Sequence, residues 1–236
     1  MTRSITKPEC DRFEVEFAAW LGATIVNKDN LESEVIALFL DIAKIQDKND
    51  FLASTATTLG TVVYLPDEYP LDQRVSVLAH EGEHVLQYSP KPDVSYGKWL
   101  DAGQRAALEA GKLTPFISEI LRKLRIDESR IRAHGLGFAW LYLTEPEERM
   151  VYETHAYCTA MQFERQRWGA PLPEVDHLVQ RLGRGYALGA EHLATARKMF
   201  EIRKTEIANG VFRSAVANKA IEILRGISPE LVAVAV

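Results

Sequence analysis

Apolar residues recur at helical spacing over most of the chain, with one short interruption. Phe13, Phe17, Trp20 and Leu21 predict a helix near residues 8–21. Leu31, Val35, Leu38, Ile42 and Ile45 form a stripe that predicts a second over about 30–46, with Asn30 as its cap. The period then changes. "FLASTATTLGTVVYLP" is rich in β-branched residues and predicts two strands, about 51–57 and 61–65, turning at Leu59-Gly60 and ended by Pro66. Helical spacing returns in 71–88, "LDQRVSVLAHEGEHVLQY", where Leu71, Val75, Leu78, Gly82 and Val85 make the buried stripe. A glycine in that stripe implies close approach of the hairpin or of another helix. "SPKPDVSYG" reads as a loop, followed by short helices near 99–110 and 114–125. "RAHGLGFAWLYL" is ambiguous between helix and strand. Thr144, Pro146 and Glu147 suggest a capping box opening a helix over 144–167 that stops at Gly169 and Pro171. Further helices are predicted over 174–189, 190–208 and 214–226. The pattern is that of a mainly helical α+β fold. The clearest candidate boundary falls near 170, dividing a part at 1–170 from a helical part at 171–236 that is equally consistent with the same domain.

Composition narrows the classes of function. Of 236 residues, 47% are hydrophobic and 26% charged, an ordinary globular balance with enough apolar material for a sizeable core. The net charge of −5 argues against nucleic acid as a partner, and the basic run from Arg122 to Arg132 is broken by Asp127 and Glu128 like a solvated helix face. Cys10 and Cys158 are the only cysteines, too few for a disulfide framework. The N-terminal stretch has no apolar core of signal-peptide type, and no apolar run approaches the roughly 18 residues that span a bilayer. These features predict a protein with no membrane association, residing in the cytoplasm of its producer.

The candidate chemistry lies in "AHEGEH", residues 79–84. His80 and His84 are four apart, so on a helix their imidazoles project about 40° from one another on one face. Two nitrogens so placed can share a metal ion, which then needs a third protein ligand and an open position. Glu81 and Glu83 lie about 80° to either side of the histidine pair, and angle alone does not choose between them as a base.

"HEGEH" resembles the HExxH motif of zincin metallopeptidases. Its continuation "HEGEHVLQY" resembles small bacterial and phage metallopeptidase-like sequences, and a phage origin would allow association with the virion. The resemblance covers roughly 50–160 and implies a zincin-like core in which the small β-hairpin packs on the motif helix. It implies Zn²⁺ as the cofactor and Glu81, not Glu83, as the general base. Metzincins carry a third histidine six residues after the second; Pro90 stands there, which excludes that subclass. Gluzincins take a glutamate from a later helix. Glu153 in "YETHAY" fits, since a carboxylate among apolar and aromatic residues is costly unless paired or metal-bound. His155, Glu148 and His134 are its competitors. The position four after Glu153, often an aspartate orienting a ligand histidine in gluzincins, is Tyr157. The resemblance further implies hydrolysis of peptide bonds in a peptide or protein substrate, with Tyr157 or His155 as an oxyanion donor and Tyr152 or His134 as alternatives. The strand at 61–65 is expected to pair with an extended substrate, and Tyr96 and Trp99 to line the cleft. The competing reading is a zinc-containing but catalytically silent component of a larger assembly.

Overall fold

The computed structural model describes residues 2–28, 56–66, 68–88, 142 and 145–233. Among these, six α-helices and one three-stranded sheet make a mainly helical α+β architecture. Helix α1 spans Lys7–Leu21, α2 Leu71–Tyr88, α3 Pro146–Trp168, α4 Val175–Gly185, α5 Ala190–Ala208 and α6 Ala215–Ile227. The strands are β1 (Thr24–Asn27), β2 (Thr57–Leu59) and β3 (Val62–Leu65). The helices predicted at 30–46, 99–110 and 114–125, the ambiguous stretch before Tyr142, and Tyr96, Trp99 and His134 lie outside the described residues. No helix among the described residues is long and apolar enough to cross a membrane.

Helix α1 starts with a capping box in which Thr6 and Glu9 satisfy each other's backbone donors, and the Thr6 N–H reaches Glu9 Oε2 at 2.9 Å. It ends at Gly22, in the left-handed conformation with φ 65°. The chain then enters β1, a strand too short to register as a period-two pattern in the sequence. β1 pairs parallel with β3, and β2 pairs antiparallel with β3 through a two-residue loop in which Gly60 takes φ 63°. β3 is therefore the central strand, buried along its whole length. This corrects the expectation that 61–65 pairs with a substrate: both its hydrogen-bonding edges are taken. Among the described residues, β2 is the edge on the hairpin side.

Helix α2 turns the predicted stripe inward. Val75, Leu78 and Val85 are buried, and a Cβ on Gly82 would fall 2.9 Å from Phe17 Cζ and 3.0 Å from Val216 Cγ1. The close neighbours are thus α1 and α6, not the hairpin. Helix α3 runs antiparallel to α2. Arg167, fully buried near its end, pairs with Asp72 in the first turn of α2, while Gln87 in the last turn donates to the Tyr152 carbonyl at 3.3 Å. The N-cap of α3 is Glu145 with no side-chain cap bond, and Thr144, the capping residue expected from the sequence, lies outside the described residues; Pro146 occupies the first turn and Gly169 closes the helix at φ 66°.

One core joins Phe13 and Phe17 of α1, Val63 and Leu65 of β3, α2, Phe163 of α3 and Val216, Ile221 and Leu224 of α6. A second packs Met150, Cys158 and Met161 of α3 against Leu178 and Leu182 of α4 and Phe200 of α5. Residues on both sides of the boundary predicted near 170 share each of these cores.

Candidate metal centre

The antiparallel pairing of α2 with α3 brings Glu153 opposite the histidine pair. His80 Nε2 and His84 Nε2 lie 3.3 Å apart. Glu153 Oε2 lies 3.4 Å from His80 Nε2, and its Oε1 lies 3.4 Å from His84 Nε2. Among the described residues, these three are the one group of histidine, cysteine and acidic side chains close enough to hold an ion. The spacing suits a metal. Bonds of about 2.0–2.1 Å in tetrahedral geometry put ligand atoms about 3.3–3.4 Å apart. Glu153 Oε2 is buried and has no hydrogen-bond partner among the described residues, a costly state for a carboxylate oxygen that a cation would relieve. The donor set of two imidazoles and one carboxylate is borderline in softness and fits Zn²⁺.

The three side chains are oriented by neighbours to which the sequence assigned no role. His84 Nδ1 lies 2.8 Å from Gln87 Oε1, which assigns the proton to Nδ1 and turns Nε2 toward His80 and Glu153. Gln87 lies three residues beyond His84 on the same helix, and that spacing is the one local signal for the contact. The Tyr142 hydroxyl donates to Glu153 Oε1 at 2.6 Å. Tyr186 also hydrogen-bonds to Glu153, and burial together with that carboxylate keeps both tyrosine hydroxyls protonated well above the usual range. Arg149 fastens the backbone of both tyrosines, through the carbonyl of Tyr186 at 2.9 Å and that of Tyr142. The next residue, Ala187, has φ 49°, a left-handed alanine that bends the chain as it leaves Tyr186. These are long-range contacts with no local sequence signature.

The charges are strongly coupled. Burial disfavours a charge on Glu153, yet the two imidazoles overcome it and hold the carboxyl far below its ordinary value. Burial likewise opposes protonation of His84, and Glu153 reverses the balance, raising it to about 9.

The two motif glutamates part company. Glu81 is 5% exposed and turns toward the hairpin, where the Thr58 hydroxyl donates to its Oε2 at 2.7 Å. Lys28, at the end of β1, feels its charge: burial lowers the ammonium to about 7 while Glu81 pulls it back up. Glu83 turns the other way, into the space between α3 and α6. There it meets His155, whose Nδ1 lies 3.2 Å from Glu83 Oε1. His155, two residues beyond Glu153 and about 160° away around the helix, is thus placed against Glu83 and Phe212, whose ring centroid is 5.5 Å from its own. The contacts of His155 are on the Glu83 side of α3, opposite the face that carries Glu153. Tyr157 is beside the cluster, its ring edge-on to His80 with centroids 4.9 Å apart. Tyr152 is placed by its hydrogen bond with Glu148. Comparison with family models, curated proteins and solved structures finds no match for the chain.

Proposed function

We propose that this chain is a zinc-dependent metallopeptidase of zincin type with a gluzincin-like ligand set, acting on peptides or proteins in the cytoplasm of its producer. The observation that carries the proposal is the triangle of His80, His84 and Glu153, whose edges match a zinc coordination sphere. A divalent ion bound there would act as a Lewis acid and bring a bound water toward neutral pKa.

This chain's own residues supply the rest. Glu81 sits on the flank of the histidine pair facing the hairpin, with one oxygen fixed by Thr58, so its other oxygen is oriented to accept a proton and return it to the leaving amine. Tyr157 is raised by burial and by the Glu153 charge, so its hydroxyl keeps its proton at neutral pH and can donate to an oxyanion. Gln87, Tyr142 and Tyr186 hold the ligand side chains in place. A silent, purely structural metal site has no use for a carboxylate in the position of Glu81.

The test compares the wild-type chain with Glu81→Gln on a broad peptide library, with metal content measured in both. The substitution is expected to retain the metal and abolish cleavage. Cleavage by the variant at the wild-type rate removes Glu81 as base. Metal without cleavage in the wild type favours the silent component of an assembly.

A further inference from the structure

The second glutamate of the motif has no part in that chemistry, yet it is among the most buried polar side chains in the molecule, 2% exposed. Three side chains from two segments converge on it. The Thr159 hydroxyl of α3 donates to Glu83 Oε2 at 2.8 Å, and the Ser214 hydroxyl donates to the same oxygen at 3.2 Å. His155 Nδ1 stands 3.2 Å from the other oxygen. Ser214 is also the N-cap of α6, accepting from the Ala217 N–H at 3.2 Å. Its own N–H donates to Gln162 Oε1 of α3 at 2.7 Å, and Gln162 Nε2 reaches Asn218 Oδ1 at 2.9 Å. Helices α3 and α6 are therefore already tied to each other, and Glu83 ties α2 to both.

From this geometry, and resting on the metal-centre reading above, we infer that Glu83 is a positioning residue: its hydrogen bonds set the register of α2 against α3 that makes His80, His84 and Glu153 converge. The zinc ligands come from two helices, so the ligand triangle is only as accurate as the register between them. An apolar seam accommodates small slips, whereas a buried carboxylate with fixed donors does not, because any slip leaves it unsatisfied. Glu83 adjoins His84 directly, and His155 and Thr159 lie two and six residues beyond Glu153. The latch thus sits at the level of the ligands, while the Asp72–Arg167 pair holds the far end. On the same level of α2, Gly82 lets Val216 of α6 approach, so backbone contact and hydrogen bonding act at one point.

The test measures zinc affinity by competition with a chromogenic chelator, alongside thermal melting of the metal-free chains. Glu83→Ala is expected to weaken zinc binding about 10–100-fold, the range for outer-shell partners of a metal site. Glu83→Gln, which still accepts from Thr159 and Ser214, should restore most of that loss. Thr159→Val and Ser214→Ala should each weaken binding by a smaller factor. Leu231→Ala opens a cavity past the C-terminal end of α6, the end opposite Ser214, and should lower the melting temperature with zinc affinity unchanged. A role confined to stability would move melting alone. Wild-type affinity in a folded Glu83→Ala chain overturns the inference; if that chain does not fold, wild-type affinity in both Thr159→Val and Ser214→Ala overturns it. A wild-type chain that binds no zinc instead refutes the metal-centre reading, and this inference falls with it.

Discussion

The two flanks of α2 carry the same side chain to opposite ends. Glu81 faces a short hairpin and is held by one hydroxyl, from Thr58. Glu83 faces two long helices and is held by two hydroxyls with a histidine against its second oxygen. A carboxylate with a single fixed oxygen retains acceptor capacity for a proton in transit. One held by two hydroxyls on a single oxygen deep in a helical interface, with a histidine beside the other, is suited to setting geometry. A five-residue motif does not separate these roles, because both glutamates sit symmetrically about the histidines. The surrounding architecture does: a sheet edge on one side, a helix pair on the other.

The comparison is broken most severely at the ligand both flanks serve. If Glu153 is the third ligand, as proposed, Glu153→Ala is expected to cost more than the roughly 100-fold that outer-shell losses reach, measured as the zinc dissociation constant. Normal zinc binding by that variant would place the third ligand elsewhere. On the hairpin flank, Glu81→Gln should lower kcat about a hundredfold or more while zinc affinity stays within a few-fold of wild type. Gly82→Ala tests the helix flank. Its methyl meets Phe17 and Val216, so chemical denaturation should show a loss of about 1–3 kcal/mol, as for other overpacked cores. Thr58→Val should have a milder effect, a several-fold fall in kcat/KM with zinc retained, in line with the ~1 kcal/mol of one hydrogen bond.

The smallest effect is a pH dependence. Lys28 titrates near 7 in the folded chain and at 10.5 by its ordinary value, so between those values the unfolded chain binds more protons. Its contribution therefore makes stability rise with pH across that window, and below about 7 the cost of burying the charged ammonium is paid in full. Lys28→Met should flatten that rise and raise the melting temperature most at the acid end. An unchanged slope would show that Lys28 is solvated.

What could be read in the sequence follows how local the determinants are. Helix α2 has the predicted bounds because its stripe and the proline before it act within a turn or two. The end of α3 at Gly169 was visible for the same reason. β1 was not: four residues carry too little pattern, and its partner β3 is some 35 positions on. The candidate ligands His80 and His84 are placed by spacing on one helix, and the cost of an unpaired buried carboxylate singled out Glu153. The groups that hold Glu153, Tyr142 and Tyr186, and Thr58, which holds Glu81, arrive from separate segments through tertiary contacts that no local rule encodes. His155 shows how rotation along a helix separates neighbours in sequence. Proximity to Glu153 in sequence suggested proximity in space, but helical rotation carries it to the Glu83 side.

The central claim is most directly tested by elemental analysis of the full chain purified without chelators. About one zinc per chain, released on Glu153→Ala substitution, is the expected result. Less than about 0.2 zinc per chain, with none taken up on addition of the ion, would contradict it.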